Sequence, residues 1–233
     1  MRYLIKGGAF STLQVDLQKD EWVKAEKNAM VAMSGDMKLS SRMDGGLLRS
    51  IARKFSGESF FFQEIRAADA PGWVMLSPLS PGGIVPIELD GRVSVTAEKS
   101  SFLAATEHVQ ISSSVQRLVK GLFGGEGFVV VKITGTGTVF LSSFGAIETI
   151  VLQAGQEIVV DNTHLIAWED GIDYTIGKGG ATWMSAVLGG EGFIARLKGP
   201  AKGTGRVWVQ TRTPQGFRHW LGILHPLENS GNS

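Results

Sequence analysis

In Phe10-Ser11-Thr12-Leu13-Gln14-Val15-Asp16-Leu17, the apolar residues Leu13, Val15 and Leu17 alternate with polar ones, the period-two pattern of a strand with one face in a core. Trp22-Val23-Lys24-Ala25 predicts a second strand and Glu26-Lys27-Asn28 a turn. The apolar run Ala29 to Met33 predicts a third strand, closed by a turn at Ser34-Gly35-Asp36. Then the period changes. Leu47, Leu48, Ile51 and Phe55 stand at helical offsets and predict a short amphipathic helix. Phe60-Phe61-Phe62 and Gly72-Trp73-Val74-Met75-Leu76 return to strand, and Pro78, Pro81 and Pro86 mark the next stretch as a loop or edge connection.

The same order then recurs. Ile84, Val85, Ile87 and Leu89 open a second unit, Val93 to Lys99 repeats the pattern of Trp22 to Lys27, and Phe102-Leu103-Ala104-Ala105 repeats Met30-Val31-Ala32-Met33. Ser112 to Ser114 offers an N-cap for a second short helix carrying Val115, Leu118, Val119 and Leu122. A third unit runs through Ile147, Ile150 and Leu152, then Ile158-Val159-Val160, then Leu165-Ile166-Ala167-Trp168, with a third helix of at most a turn or two before Gly189. Ala104 follows Ala32 by 72 positions and Ala167 follows Ala104 by 63. Gly135-Thr136-Gly137 and Gly203-Thr204-Gly205 each precede alternating apolar residues and read as hairpin corners.

A short motif punctuates the units: Ser56-Gly57-Glu58-Ser59-Phe60, Gly124-Gly125-Glu126-Gly127-Phe128 and Gly189-Gly190-Glu191-Gly192-Phe193. Small residues permit a tight turn and Phe starts a strand. The expectation is an all-β domain with an internal pseudo-threefold repeat: residues 1–226 as one domain, with units of about 1–80, 81–143 and 144–226, two or three short helices, and a polar tail at 227–233. Units this small bury little alone, so one shared core in a sandwich or prism is expected.

Composition narrows the function classes. The chain has 233 residues, 43% of them hydrophobic, with 31 glycines against 7 prolines and no Gly-X-Y period, which favours a turn-rich β protein. It has no cysteine, which removes disulfides, thiolate metal sites and a cysteine nucleophile and fits a reducing compartment. No apolar run is long enough for a membrane-spanning helix and the N-terminus has no signal-like h-region, so a soluble, cytoplasmic protein is expected. A net charge of +1 directs attention to local patches.

Gly57-Glu58-Ser59-Phe60-Phe61, Pro71-Gly72-Trp73-Val74 through Pro81-Gly82, Phe102-Leu103-Ala104, Gly124 to Phe128 with Gly135-Thr136-Gly137, and Val209-Gln210-Thr211-Arg212 together resemble the altered-inheritance-of-mitochondria 24 family, roughly from residue 3 to 224. The resemblance implies a β-sandwich fold similar to the tryptophan RNA-binding attenuator protein, used in symmetric assemblies, with bacterial members tending to trimers. It supplies no catalytic residues. The mitochondrial members are associated with inner-membrane organisation; the absence of a transit-like start here points to the prokaryotic type.

Glu58, Glu126 and Glu191 are candidates for a cation site on a pseudo-threefold axis. The competing reading is that each carboxylate accepts the N–H groups of its own glycine turn, with Gly57, Gly125 and Gly190 as structural turn residues, and turn chemistry already accounts for the motif. The histidines show no metal-binding spacing and no Gly-x-Ser-x-Gly elbow is present, so no catalytic residue, metal or cofactor is expected. Residues 146–177 carry six acids and no Lys or Arg, while 192–227 carry six bases and no acid. Arg196, Lys198, Lys202, Arg206 and Arg212, with Trp208, are candidates for binding RNA or another anion. Complementary faces that meet between identical subunits, or acidic and basic strands that neighbour each other in one fold, explain the same asymmetry. Most aromatics read as core, with Trp73 in a Pro/Gly-bounded loop the exception. The expected function is a non-enzymatic oligomeric scaffold, with a homotrimer favoured and a protein partner unknown; the alternative is an anion-binding module using basic C-terminal strands.

Overall fold

The computed structural model describes residues 1–42, 62–112, 116–119, 128–178 and 193–224. The chain is all-β. The first group of strands is β1 (Arg2–Lys6), β2 (Thr12–Leu17), β3 (Trp22–Glu26), β4 (Met30–Met33), β5 (Met37–Arg42), β6 (Phe62–Ala67) and β7 (Gly72–Leu76). The second is β8 (Ile84–Asp90), β9 (Val95–Glu98), β10 (Phe102–Thr106), β11 (Val109–Ile111), β12 (Gln116–Val119) and the long β13 (Phe128–Ser142). The third is β14 (Ile147–Gln153), β15 (Glu157–Asp161), β16 (Leu165–Glu169), β17 (Asp173–Lys178), β18 (Phe193–Lys198) and β19 (Thr204–Gln210), followed by one helix, α1 (Pro214–Leu224). The alternation in Leu13, Val15 and Leu17 does what it predicts: all three are buried and the residues between them are half-buried.

One antiparallel pairing scheme runs through all three groups. In the first, β2 and β4 flank β7 while β3 and β5 flank β6. In the third, β14 and β16 flank β19 while β15 and β17 flank β18. In the second, β13 serves as both central strands: its C-terminal half pairs β8 and β10, and its N-terminal half pairs β9, β11 and β12. Between groups, β10 pairs β3 and β16 pairs β9. Two sheets thereby form across group boundaries, and β13 joins them into one path. Two smaller sheets, β1-β2-β7-β4 and β15-β18-β17, lie at the ends of this arrangement.

Several elements differ from the sequence expectation for physical reasons. Within the second predicted helix, Gln116–Val119 is strand β12, because its backbone pairs with β13 from Gln116 opposite Val130 onward, and tertiary pairing overrides a short helical period; Val115 and Leu122 lie outside the described residues. The helix predicted near 47–55 and the turn or two before Gly189 lie outside the described residues. Gly135 and Gly137 do not turn a hairpin; they sit inside β13 at φ 95° and 123°, where the strand passes from one sheet to the other. A Cβ on Gly135 would come within 2.2 Å of the His108 carbonyl oxygen, so glycine allows β11 and β13 to approach. Gly203 to Gly205 also lead out of one sheet and into another, since β18 and β19 do not pair. The basic C-terminal segment is not strand throughout: Thr213 caps α1 by accepting the Gly216 N–H at 3.0 Å, Pro214 follows at the first helical position, and Phe217 and Trp220 stand on this helix.

Among the described residues the buried apolar side chains fall into three clusters. One is built on Leu13, Val15, Val23, Ile65, Val74 and Leu76, one on Ile87, Val95, Val131, Ile133, Val139 and Leu141, and one on Leu152, Trp168, Ala195, Leu197 and Val207. Each receives its apolar side chains from two packed sheets, as alternating strands require.

Candidate functional site

The seams between groups are built from β10 and β16 and from the strands beside them, and β4 is their counterpart in the first group. Each of these three strands shifts register at the same place, between Met30 and Ala32, between Phe102 and Ala104, and between Leu165 and Ala167. The residue at the shift is Val31, Leu103 or Ile166. Leu103 is 0% exposed and lies in the cluster of the preceding group, together with Ala104 and Phe140. Ile166, with Ala167 and Trp208, enters the cluster of the second group in the same way. A group thus completes the core of the one before it.

The corresponding trio in the first group is Val31, Ala32 and Met75, since Ala32 opposes Met75 as Ala104 opposes Phe140 and Ala167 opposes Trp208. Among the described residues no strand lies on the outer side of β4. Val31 is 56% exposed, and Ala32 and Met75 are only half-buried. At the other end, β15 is the counterpart of β3 and β9, which receive β10 and β16; it closes a three-stranded sheet with no strand on its outer side among the described residues. Val159 on β15 is 52% exposed. Neither strand carries the Lys or Pro that blunts an edge.

Polar contacts also cross the two internal seams. Buried Lys24 reaches from β3 to the carbonyls of Glu107, at 3.3 Å, and Val109, with its ammonium 5.5 Å from the Trp22 ring centroid. At the second seam, Asp170 accepts Ser94 Oγ at 2.9 Å and Lys132 Nζ at 3.2 Å, and these contacts hold its carboxyl below the usual range. Acids end β3, β9 and β15 at equivalent positions: Glu26, Glu98 and Asp161. Desolvation, followed by the charge of Glu98, pushes Glu26 up to about 7. Asp161 instead caps the following turn through Thr163 N at 2.9 Å.

Glu58, Glu126, Glu191, Gly57, Gly125 and Gly190 lie outside the described residues. Among the basic candidates, Arg196 and Lys198 share the exposed face of β18, Lys202 is in the connection to β19, and Arg212 follows β19. Two are engaged by acids of adjacent strands. Arg196 meets Glu157 at 3.3 Å, and Arg206 Nε meets Glu169 at 2.7 Å while the Arg206 backbone N–H donates to the same carboxylate at 2.8 Å. Trp208 is 1% exposed and forms part of the second core cluster, beneath the Arg206 guanidinium at 5.2 Å. Trp73 is exposed on β7. Sequence reasoning aligned Ala32, Ala104 and Ala167 but passed over Val31, Met75 and Val159. Their signal was the repeat alignment itself, read for the residue that changes from Leu or Ile to a smaller apolar side chain at one end.

The architecture defines an all-β protein whose paired sheets are assembled from successive stretches of one chain. Residues 3–212 match the family model for mitochondrial biogenesis AIM24, and the chain belongs to that family. It is 31% identical over 239 aligned residues to an uncharacterised protein of Streptococcus pyogenes serotype M6, covering 99% of this chain and 93% of that one. It is 27% identical over 169 residues to the mitochondrial altered inheritance of mitochondria protein 24 of Verticillium alfalfae, covering 72% of this chain but 43% of the fungal protein. A crystal structure of a Streptococcus pyogenes protein superposes with a TM-score of 0.76 at 28% identity, covering 96% of this chain and 99% of that one. Among the described residues no helix is long and apolar enough to cross a membrane.

Proposed function

We propose that this protein is a non-enzymatic, cytoplasmic scaffold whose working form is a head-to-tail assembly of identical copies, a closed homotrimer being the expected form. The observation that supports it is the unmatched joint: the chain uses one kind of seam twice, and one half of a third stands exposed at each end. Joining β4 of one copy to β15 of the next repeats the internal rule and makes a further sheet of the same kind. Such a contact is heterologous, so it closes into a ring or runs on as a filament.

The internal seams supply a register. Ala104 faces Ala25 and Ala105 faces Lys24 at the first seam, and Ala167 faces Ala97 and Trp168 faces Thr96 at the second. Carried to the ends of the chain, these pairs become Ala32 opposite Val160 and Met33 opposite Val159. Val31 then enters the third core cluster of the neighbouring copy. Met75, unbranched and adaptable, takes the place held by Phe140 and Trp208 at the other seams.

The cysteine-free sequence makes this testable by cross-linking. Opposed residues of an antiparallel pair lie about 4.5–5.5 Å apart at Cα, within disulfide reach. The double variant Met33→Cys with Val159→Cys should form intermolecular disulfides on mild oxidation, giving a covalent trimer on a denaturing gel. Met33→Cys with Ile158→Cys should not, because one position of slip turns the side chain to the other face. Equal cross-linking of both pairs, or of neither while native mass spectrometry shows a monomer, defeats the reading. Salt-dependent retention of nucleic acid by such a monomer would turn it toward the anion-binding alternative.

A further inference from the structure

The short segments that lead into β2, β8 and β14 are equivalent, and through them each group donates backbone hydrogen bonds to the next. Ser11, directly before β2, donates its N–H to the Gly82 carbonyl at 3.2 Å, and Gly83, directly before β8, donates to the Gly145 carbonyl at 2.8 Å. Gly82 and Gly145 form a parallel bridge, and the Gly145 N–H returns to the Pro81 carbonyl at 3.0 Å. Ala146, directly before β14, is the third donor of the series. The Gly83 N–H is shared, with Ser143 Oγ as its second acceptor at 3.1 Å. Ala146 N–H has the matching side-chain acceptor, Thr211 Oγ1 at 3.0 Å, but no carbonyl acceptor among the described residues.

The carbonyl that completes the series is that of Phe10, which stands to β2 as Gly82 and Gly145 stand to β8 and β14. In the head-to-tail assembly proposed above, on which this step rests, the group that follows the third is the first group of the next copy. Carried across that joint, the rule sets the carbonyl of the next copy's Phe10 on the Ala146 N–H. The Phe10 N–H then falls on the Phe144 carbonyl, as Gly145 N–H falls on Pro81. That carbonyl accepts the Arg212 N–H at 3.2 Å and keeps a second lone pair.

Phe10 differs from the two glycines in carrying a large apolar side chain, 78% exposed in the single chain. Helix α1 stands beside the place it would take. The Phe217 ring packs on Phe144 with centroids 5.3 Å apart and on Trp220 at 5.7 Å. Phe217, Trp220 and Leu221 follow one another at helical offsets of three and four and form one apolar stripe, yet they are 39%, 53% and 41% exposed. A stripe left this open marks an interaction surface, and a third ring entering beside Phe144 and Phe217 covers it in the offset or edge-on geometry that aromatic pairs favour. No helix follows β7 or β13 before the next strand begins, so α1 is added to the repeat only after the last group, the one that meets the next copy.

We infer that α1 is a clasp for a second copy of this chain, holding the next copy's Phe10 against Phe144, Phe217 and Trp220 as a contact additional to the pairing of β4 with β15. Phe10→Ala and Trp220→Ala remove side chains that are exposed in the single chain, so the dilute monomer should keep its melting temperature. In sedimentation equilibrium of the full chain, each should raise the dissociation constant at least about tenfold. The double variant should stay within about threefold of the weaker single variant, because the two truncations remove one shared contact. A smaller loss in either single variant, or a larger one in the double, overturns the inference. The Met33→Cys with Val159→Cys cross-link reads the strand joint separately. A covalent trimer from that pair, beside Phe10→Ala and Trp220→Ala variants of parental affinity, keeps the joint and removes the clasp, whereas a monomeric parent removes both. Binding of such a monomer to anionic vesicles, lost in Trp220→Ala, would assign the stripe to a lipid surface instead.

Discussion

Val31→Lys separates assembly from folding. In the single chain Val31 is 56% exposed, so the change should alter the stability of an isolated copy by no more than about 0.5 kcal/mol. In the proposed joint the same position is buried as Leu103 and Ile166 are, at 0% and 1%. Fully burying a valine is worth about 1.5–3 kcal/mol, and a little over half of that surface remains to be covered, so the joint loses about 1 kcal/mol from this side chain. It also takes in an ammonium without a partner, at a cost of at least about 2–3 kcal/mol. Together these weaken each joint by about 3–4 kcal/mol, or roughly two to three orders of magnitude in dissociation constant. Sedimentation velocity across a concentration series reads this directly, with Leu39→Lys as control because Leu39 is exposed on β5, which is neither of the two strands proposed to join. Val31→Lys should sediment as a monomer where the parent and Leu39→Lys are assembled, with melting of the dilute monomer unchanged. Assembly of Val31→Lys with parental affinity would refute the reasoning.

Glu26 provides a pH prediction. Its carboxyl is raised from 4.5 to about 7 in the fold, so the folded state holds a proton that the unfolded chain releases. Its contribution to stability is therefore greatest below about pH 4.5, declines as pH rises to about 7, and is constant above that. Partial exposure discounts the effect to about 1–2 kcal/mol, and Glu26→Gln should raise stability by that amount at pH 8 and by little at pH 4.5, as read from urea unfolding. Gly135→Ala places a Cβ 2.2 Å from a backbone carbonyl at φ 95° and should cost about 2–4 kcal/mol by denaturant titration. Trp208→Ala empties a fully buried site at the second seam and should cost about 3–5 kcal/mol in the same assay; a loss below about 1 kcal/mol would show that the seam is not a packed core.

Much of the architecture is legible in the chain because it depends on local rules. Strict alternation places Leu13, Val15 and Leu17 on a buried face, and the spacing of Ala32, Ala104 and Ala167 brings three strands with the same register shift into line. Turn chemistry at Asn28, with φ 71°, and the break at Ser34-Gly35-Asp36 were equally readable, since such signals act within a few residues. The helical period misled at 116–119 because pairing with β13 outweighs a weak local preference. The candidate site was legible in its parts but not in its meaning. Val31 and Leu103 are both apolar residues in apolar runs, and only the tertiary structure shows that one is buried by a neighbouring group while the other has none. Likewise, the bases of β18 and β19 form a charge block along the chain, whereas in space Arg196 and Arg206 lie against Glu157 and Glu169. The sequence by itself determined the kind of element, its periodicity and its repetition, which follow from interactions between near neighbours. The three-dimensional structure decided which strands pair across groups and which edges remain open, because hydrogen bonds between strands distant in the chain leave no local trace.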